Sequence, residues 1–373
     1  MIHAAPTAAP ANAHAVIMAG GRGERFWPLS RAARPKQFVD LFGGKPLIRH
    51  AAERLEGVVA PDHVFVVTSR DLVPATRKAL PALPPEQIVG EPVGRDTAAA
   101  CALATELVAH RAGSPDAPMA ILTADQLMGD LPVFRQTLAD GFRLVAAEPV
   151  IATIGIQPAF PATGFGYIEA GAPLPFPGET SFVRVARFVE KPDAATAERY
   201  VAGGRHFWNA GMFLWTPRTF REALRRHRPA LAEGFGALAP AIGTPGFDAA
   251  LEGLYAGVER ISVDYAVMEK ADNIVMARGA FAWDDVGSLA ALPGHFPADA
   301  AGNVALGRAT LLDAGRNIVV SRGGDGHLVA IFGASDLVVV HTPDATLVCP
   351  RDRAADLKRL VRAIGDAGGS DVL

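Results

Sequence analysis

A chain of 373 residues suggests two domains, and half of its residues are apolar, enough for a large buried core. A net charge of −3 without basic runs argues against a broad nucleic-acid or anionic-membrane surface. The two cysteines, Cys101 and Cys349, offer neither a disulfide framework nor metal-ligand spacing and suit a reducing, cytoplasmic setting. In chain order, residues 1–13, "MIHAAPTAAPANA", lack the basic start and apolar core of a signal peptide and read as a disordered tail. No apolar run reaches the length of a membrane span.

From residue 14 strand-like and helix-like runs alternate. "HAVIMAG" predicts a strand and "PLIRHAAERLEGV" a helix with Leu47, Ala51 and Leu55 on one face. "DHVFVVTS", "QIVGEP", "PMAILTAD" and "VIATIGI" predict further strands. "DLVPATRKAL", "DTAAACALATELVAHRA" and "LPVFRQTLADGFRLVAAE" predict helices, the second capped by Asp96 or Thr97. This alternation points to a mostly parallel, Rossmann-like α/β sheet covered on both faces. The middle is mixed: "GFGYIEAG", "SFVRVARFVEKP" and "FWNAGMFLW" read as a hairpin or mixed-sheet insertion, and "SVDYAVMEKAD" as a helix. "NIVMARG" and "FAWDDVG" then return to strand. After Pro293 short β runs separated by Gly, Asn and Asp read as a small all-β unit closed by the amphipathic helix "DRAADLKRLVRAI". The expected domains are 14–290 and 300–373. No repeat of fixed period runs through the whole chain.

The stretch "VIMAGGRGERFWPLSRAARPKQF" follows the first strand, and in open parallel sheets ligands bind beyond the carboxyl ends of strands. Gly20, Gly21 and Gly23 let backbone N–H groups approach an anion, and Arg22, Arg25, Arg31, Arg34 and Lys36 can surround several phosphates. A plain turn is the bland alternative. A dinucleotide fingerprint is disfavoured: its third glycine is missing, and Pro28 and Pro35 prevent a following helix. The chain has 30 Arg but six Lys, so the lysines inside motifs, Lys36 and Lys191, stand out.

These residues resemble the signature of sugar-phosphate nucleotidyltransferases, most nearly mannose-1-phosphate guanylyltransferases. The resemblance continues through "GEPVGRDTAAA", "ILTADQ", "TGFGYIEAG", "FVEKPD", "WNAGMFLW", "SVDYAVMEK" and "WDDVGS". It implies GTP and α-mannose 1-phosphate as substrates and GDP-mannose and pyrophosphate as products. It implies that the loop, with Gly20, Gly21, Gly23, Arg25 and Lys36, meets the triphosphate, and that Glu91 and Thr97 belong to the nucleotide segment. Glu91 could accept from guanine N1–H and N2–H₂. It places Lys191 on the sugar phosphate, Glu190 and Asn209 on sugar hydroxyls, and Gly166 beneath the ring. Asp125 and Asp285 would share one Mg²⁺, with Asp284 a competing candidate. Three positions depart from the family pattern: Asp96 stands where Asn is usual, Gln126 where His is usual, and Phe165 where Tyr is usual. The resemblance further implies a left-handed β-helix-like C-terminal module serving a homodimer. The chain ends too early for the isomerase domain of some relatives, so one activity is expected. Another sugar or nucleotide, or a non-catalytic sugar-nucleotide-binding homologue, stands as the alternative.

Overall fold

The computed structural model describes residues 8–21, 23–324 and 326–373. Arg22, counted above among the loop cations, and residues 1–7 of the expected tail lie outside them. The remainder of that tail is ordered: Ala13 is buried and its N–H donates to Pro10 O at 2.9 Å. No helix among the described residues is long and apolar enough to cross a membrane.

By their internal packing the described residues form two compact units, the second of which takes in residues 21–50. The first comprises residues up to Gly20 with 51–124 and 128–283; the second comprises 21–50, 125–127 and 284–373. The reason lies in the loop's own apolar residues. Phe26, Trp27, Leu29, Val39, Leu41 and Phe42 share one core with Ile318, Val320, Val338 and Leu357.

The first unit carries a nine-stranded sheet. Its order is Ile88–Glu91, Val64–Ser69, His14–Ala19, Met119–Thr123, His206–Trp215, Ile151–Ile156, Ile274–Gly279, Phe182–Val189 and Tyr167–Leu174. The first four strands are mutually parallel, and their continuous apolar runs suit strands buried on both faces. His206–Trp215 runs antiparallel to both its neighbours, Ile274–Gly279 pairs parallel with Ile151–Ile156, and the last two strands form an antiparallel hairpin. The sheet is thus mixed from its middle onward. Three helices that the strand–helix alternation does not announce, Pro217–His227, Pro229–Leu238 and Phe247–Gly257, bury Phe220, Leu224, Phe235, Leu251 and Tyr255 in the core of Leu103, Leu107 and Trp215. The helix expected across "SVDYAVMEKAD" is a single wide π-turn, Asp264–Met268.

In the second unit Val304–Leu306, Ile318–Ser321 and Leu337–His341 stack in parallel, as do Ala309–Leu312 and Val329–Phe332. Ile318 pairs with Val338 and Ala309 with Val329, a constant offset of about one coil of β-helix. Aligned by that register, "LLDAGRNIVV" and "IFGASDLVVV" are two copies of one coil. Buried asparagines hold the coils at their turns: Asn303 Nδ2 donates to Ala314 O, and Asn317 Nδ2 to Ala334 O, both at 2.9 Å. The closing segment is a 3₁₀ stretch, Arg351–Asp356, followed by the α-helix Leu357–Asp366.

Candidate functional site

In the second unit the strand-end loop wraps a buried lysine. Lys36 is 6% exposed; its Nζ donates to Asp125 Oδ2 at 3.0 Å and to the Asp285 carbonyl. The Phe26 ring lies 5.7 Å from the ammonium. A single compact cation, desolvated between two aspartates, fits a lysine better than the broader, branched arginine head. Gly23 is required by this packing: its φ is +62°, and a Cβ there would lie 2.6 Å from Lys36 N. Gly21 faces open space, and a Cβ on Gly20 would meet only Glu91 Oε2, at 3.9 Å, so both leave room for an approaching anion.

The two adjacent aspartates at the end of the unit's loop differ in availability. Asp284 Oδ1 accepts from Val286 N at 2.6 Å and Oδ2 lies 2.8 Å from His295 Nε2. Burial raises the Asp284 carboxyl, but these bonds and the neighbouring His295 and Lys36 outweigh it and hold it below its ordinary range. Asp285 is pushed up, first by burial, and then by Asp284 and Asp125 against the pull of Lys36 and Arg25. Among the described residues no donor reaches its carboxylate. Asp285, rather than Asp284, is therefore the carboxylate that could serve as an oxygen ligand. No cluster of three or more His, Cys, Asp or Glu able to cage a metal exists among the described residues. Two carboxylates without a cage fit Mg²⁺, a hard cation that keeps waters and substrate phosphates in its shell.

The structure withdraws two of the loop cations from that role. Arg31 pairs with Asp344 at 2.7 Å and donates to Thr342 Oγ1; Arg34 pairs with Asp40 at 2.9 Å. They tie the loop to itself and to the C-terminal strands of its unit. Arg25 stays exposed.

In the first unit the segment from Glu91 to Thr97 is laced to residues 255–263. Tyr255 Oη donates to Glu91 Oε1 at 2.9 Å, and both side chains are buried. Burial raises the Glu91 carboxyl to about 7, the Tyr255 bond working against it and the Asp96 charge with it. Arg95, which reads equally as a solvated loop charge, caps the helix Phe247–Gly257 by donating to Tyr255 O and Ala256 O. Thr97 Oγ1 accepts from Val263 N at 2.8 Å, so this hydroxyl serves the backbone. Asp96 has φ +68° and caps the helix Thr97–Ala112 through Thr97 N. Asn and Asp both carry the side-chain oxygen that this cap uses, so the bond to Thr97 N survives the exchange.

A third group, also in the first unit, gathers Gly166, Glu190, Lys191, Asn209 and Asp264. Lys191, at φ +49°, turns its ammonium onto Glu190 Oε1. Glu190 lies against Gly166, where a Cβ would stand 2.5 Å from Oε2 and 3.5 Å from Asn209 Cβ. Only glycine at 166 leaves the Glu190 carboxylate its place. Asn209 Nδ2 donates to Asp264 Oδ1 at 3.2 Å. Phe165 stands edge-on to Trp208 and Trp283, so the position usually held by Tyr contributes an aromatic wall. Met212, Phe213 and Trp215 are core.

Sequence reasoning reached Gly166, Glu190, Lys191 and Asn209 through motifs, and passed over Asp264 and Tyr255. Asp264 lies inside "SVDYAVMEK", where one acidic residue gives no role. Tyr255 looks like any apolar helix position.

The glycine loop with its buried lysine in the second unit, and the Glu–Lys–Asn cluster in the first, are each of the kind found in a nucleotidyl transferase class of protein. A family model described as nucleotidyl transferase matches residues 14–301, and one described as the MannoseP isomerase/GMP-like β-helix domain matches 307–364. The mannose-1-phosphate guanylyltransferase of Klebsiella pneumoniae is 39% identical over 350 residues, 93% of this chain and 72% of that protein. The alginate biosynthesis protein AlgA of Pseudomonas aeruginosa is 36% identical over 363 residues, covering 95% and 73%. A crystal structure from Thermus thermophilus, described as a mannose-1-phosphate geranyltransferase, matches with TM-score 0.83 and 38% identity over 95% of this chain and 99% of that one. The chain belongs to the mannose-1-phosphate guanylyltransferase family.

Proposed function

We propose that this chain transfers GMP from GTP to α-D-mannose 1-phosphate, giving GDP-mannose and pyrophosphate. The observation that carries this reading is the similarity to mannose-1-phosphate guanylyltransferases, which spans 93% of the chain and both of its family-model domains. An oxygen of the sugar phosphate attacks the α-phosphorus, the bond to the β-phosphate oxygen breaks, and pyrophosphate leaves. No protein nucleophile is required; positioning and charge balance supply the catalysis.

In this reading Gly20 and Gly21 offer backbone room to the triphosphate, and Lys36 and Arg25 balance its charge. Asp125 and Asp285 would hold Mg²⁺, which when bound neutralises charge on the phosphates. Glu91 accepts from the guanine edge that adenine lacks. Lys191 takes the phosphate of the sugar substrate, and Glu190 and Asn209 its hydroxyls. The same reading makes the chain a homodimer through its C-terminal β-helix. Support comes from Leu312 and Phe332, register partners on adjacent coils that are 60% and 75% exposed.

The test is pyrophosphate release across four nucleoside triphosphates and several hexose 1-phosphates. GTP with mannose 1-phosphate should give the highest kcat/KM. Equal or better use of ATP by the unaltered protein overturns the guanylyl assignment.

A further inference from the structure

Asn209 has little hydrogen-bonding capacity left for a ligand. Its Oδ1 accepts from Gly211 N at 3.2 Å and lies 3.1 Å from Thr153 Oγ1, whose single proton has Met212 O as a second acceptor at the same distance, and its Nδ2 donates to Asp264 Oδ1 at 3.2 Å. The Gly211 amide can only donate, which fixes which end of the side chain is oxygen. An amide has two acceptor and two donor positions, so Asn209 keeps one N–H and at most the one acceptor position that it shares with Thr153. Glu190 gives Oε1 to Lys191, and its Oε2, seated against Gly166, can serve one hydroxyl but not a second, neighbouring one. A hexose hydroxyl, however, needs an acceptor for its own proton. Asp264 is partly exposed, and among the described residues no other residue donates to its Oδ2.

We propose that Asp264 is a hexose-binding residue: Oδ2 accepts from one hydroxyl of the sugar 1-phosphate, while Oδ1 holds Asn209 so that its remaining N–H serves an adjacent hydroxyl. The ligand class is a hexose 1-phosphate with neighbouring hydroxyls, one read as donor and the next as acceptor. This rests on the sugar-subsite reading of Glu190 and Lys191. The backbone at Asp264 agrees with it, since single π-turns occur frequently at functional sites. The carboxyl is also raised to about 7, first by burial and then by the charge of Glu190, as befits a group set in a recess beside a second carboxylate.

The test is steady-state kinetics of Asp264→Asn with mannose 1-phosphate and its monodeoxy analogues. KM for mannose 1-phosphate should rise about 10- to 150-fold, the range for a lost hydrogen bond to a charged group, with KM for GTP within about twofold. One deoxy analogue should be penalised in the unaltered protein and not further in the variant. An unchanged KM, or an equal loss for every analogue, overturns the proposal. Asp264→Ser removes the same carboxylate and carries the test if Asp264→Asn melts early by circular dichroism. Lys191→Ala separates the two readings. If it leaves the sugar KM untouched, the subsite itself is misplaced; if it raises KM and Asp264→Asn does not, only the role of Asp264 falls.

Discussion

Glu91→Gln should make the ligand-free protein more stable at alkaline pH. Glu91 is 7% exposed, and its carboxyl is raised from 4.5 to about 7, chiefly by burial. A group whose folded-state pKa lies above its unfolded value contributes stability that is complete below the unfolded value. That contribution is lost as pH rises through the folded one. Between pH 4.5 and about 7 the folded chain therefore keeps a proton that the unfolded chain has released, and stability falls by about 1.4 kcal/mol per pH unit. The accumulated loss by pH 8 is about 3 kcal/mol. Gln keeps the shape and the carbonyl that accepts from Tyr255 but cannot ionise. Urea denaturation of both proteins at pH 5, 6, 7 and 8 measures it. Asp264, also raised to about 7, titrates in the same window. His14, lowered to about 4 mainly by burial, loses stability as pH falls below 6.5 and so opposes both. The difference between the two proteins at each pH isolates Glu91. It should grow in favour of Gln from pH 5 to about pH 7 and level off towards pH 8. A constant difference across that range would refute the reasoning.

Lys191→Ala should raise KM for mannose 1-phosphate or lower kcat by about 10- to 150-fold with GTP binding nearly intact, as read by initial rates and GTP titration. Asp125→Asn and Asp285→Asn should each cut turnover strongly, and the double variant should lose much less than the sum, because one ion serves both; full activity in EDTA contradicts this. Phe332→Asp should convert a dimer to monomer in analytical ultracentrifugation without altering the fold, since the side chain is three-quarters exposed; an unchanged sedimentation coefficient removes this face from any interface.

How much was legible in the sequence varies with the kind of constraint. Strands buried on both faces announce themselves, because "VIM", "VFVV" and "AIL" leave no polar face to hide. The helices Pro217–His227 to Phe247–Gly257 do not, because the alternation that reveals a parallel sheet is silent about helices stacked on helices. The 20-residue spacing of the β-helix escaped for a related reason. Its two copies share buried apolar positions, Ile318, Val319 and Val320 pairing with Val338, Val339 and Val340, but these short β-branched runs look like any strand and identities elsewhere are few. The loop's glycines were legible as residues, but a packing cause at one of them was not. Gly23 answers to the backbone of Lys36, whereas Gly20 and Gly21 have open space beside them. Arg31 and Arg34 looked like phosphate ligands because charge alone does not reveal that Asp344 and Asp40 are their partners.

The segment from Tyr255 to Asp264 explains why motif reading finds residues of a site and misses what holds them. Tyr255 Oη fixes Glu91; Ile261 pairs its backbone with Arg95 and Ala98; Val263 N is held by Thr97; Asp264 holds Asn209. Ten consecutive residues thus position both the group assigned to the base and the group assigned to the sugar. None of these contacts needs a particular spacing in the chain, since the partners lie some 55 to 166 positions away. Two of the four use backbone atoms that any residue supplies. What the sequence does carry is the chemistry that cannot be replaced at the two ends, a tyrosine hydroxyl and a carboxylate. A structural change that loosens this segment should therefore weaken nucleotide and sugar recognition together, whereas loss of Lys191 alone weakens only the second.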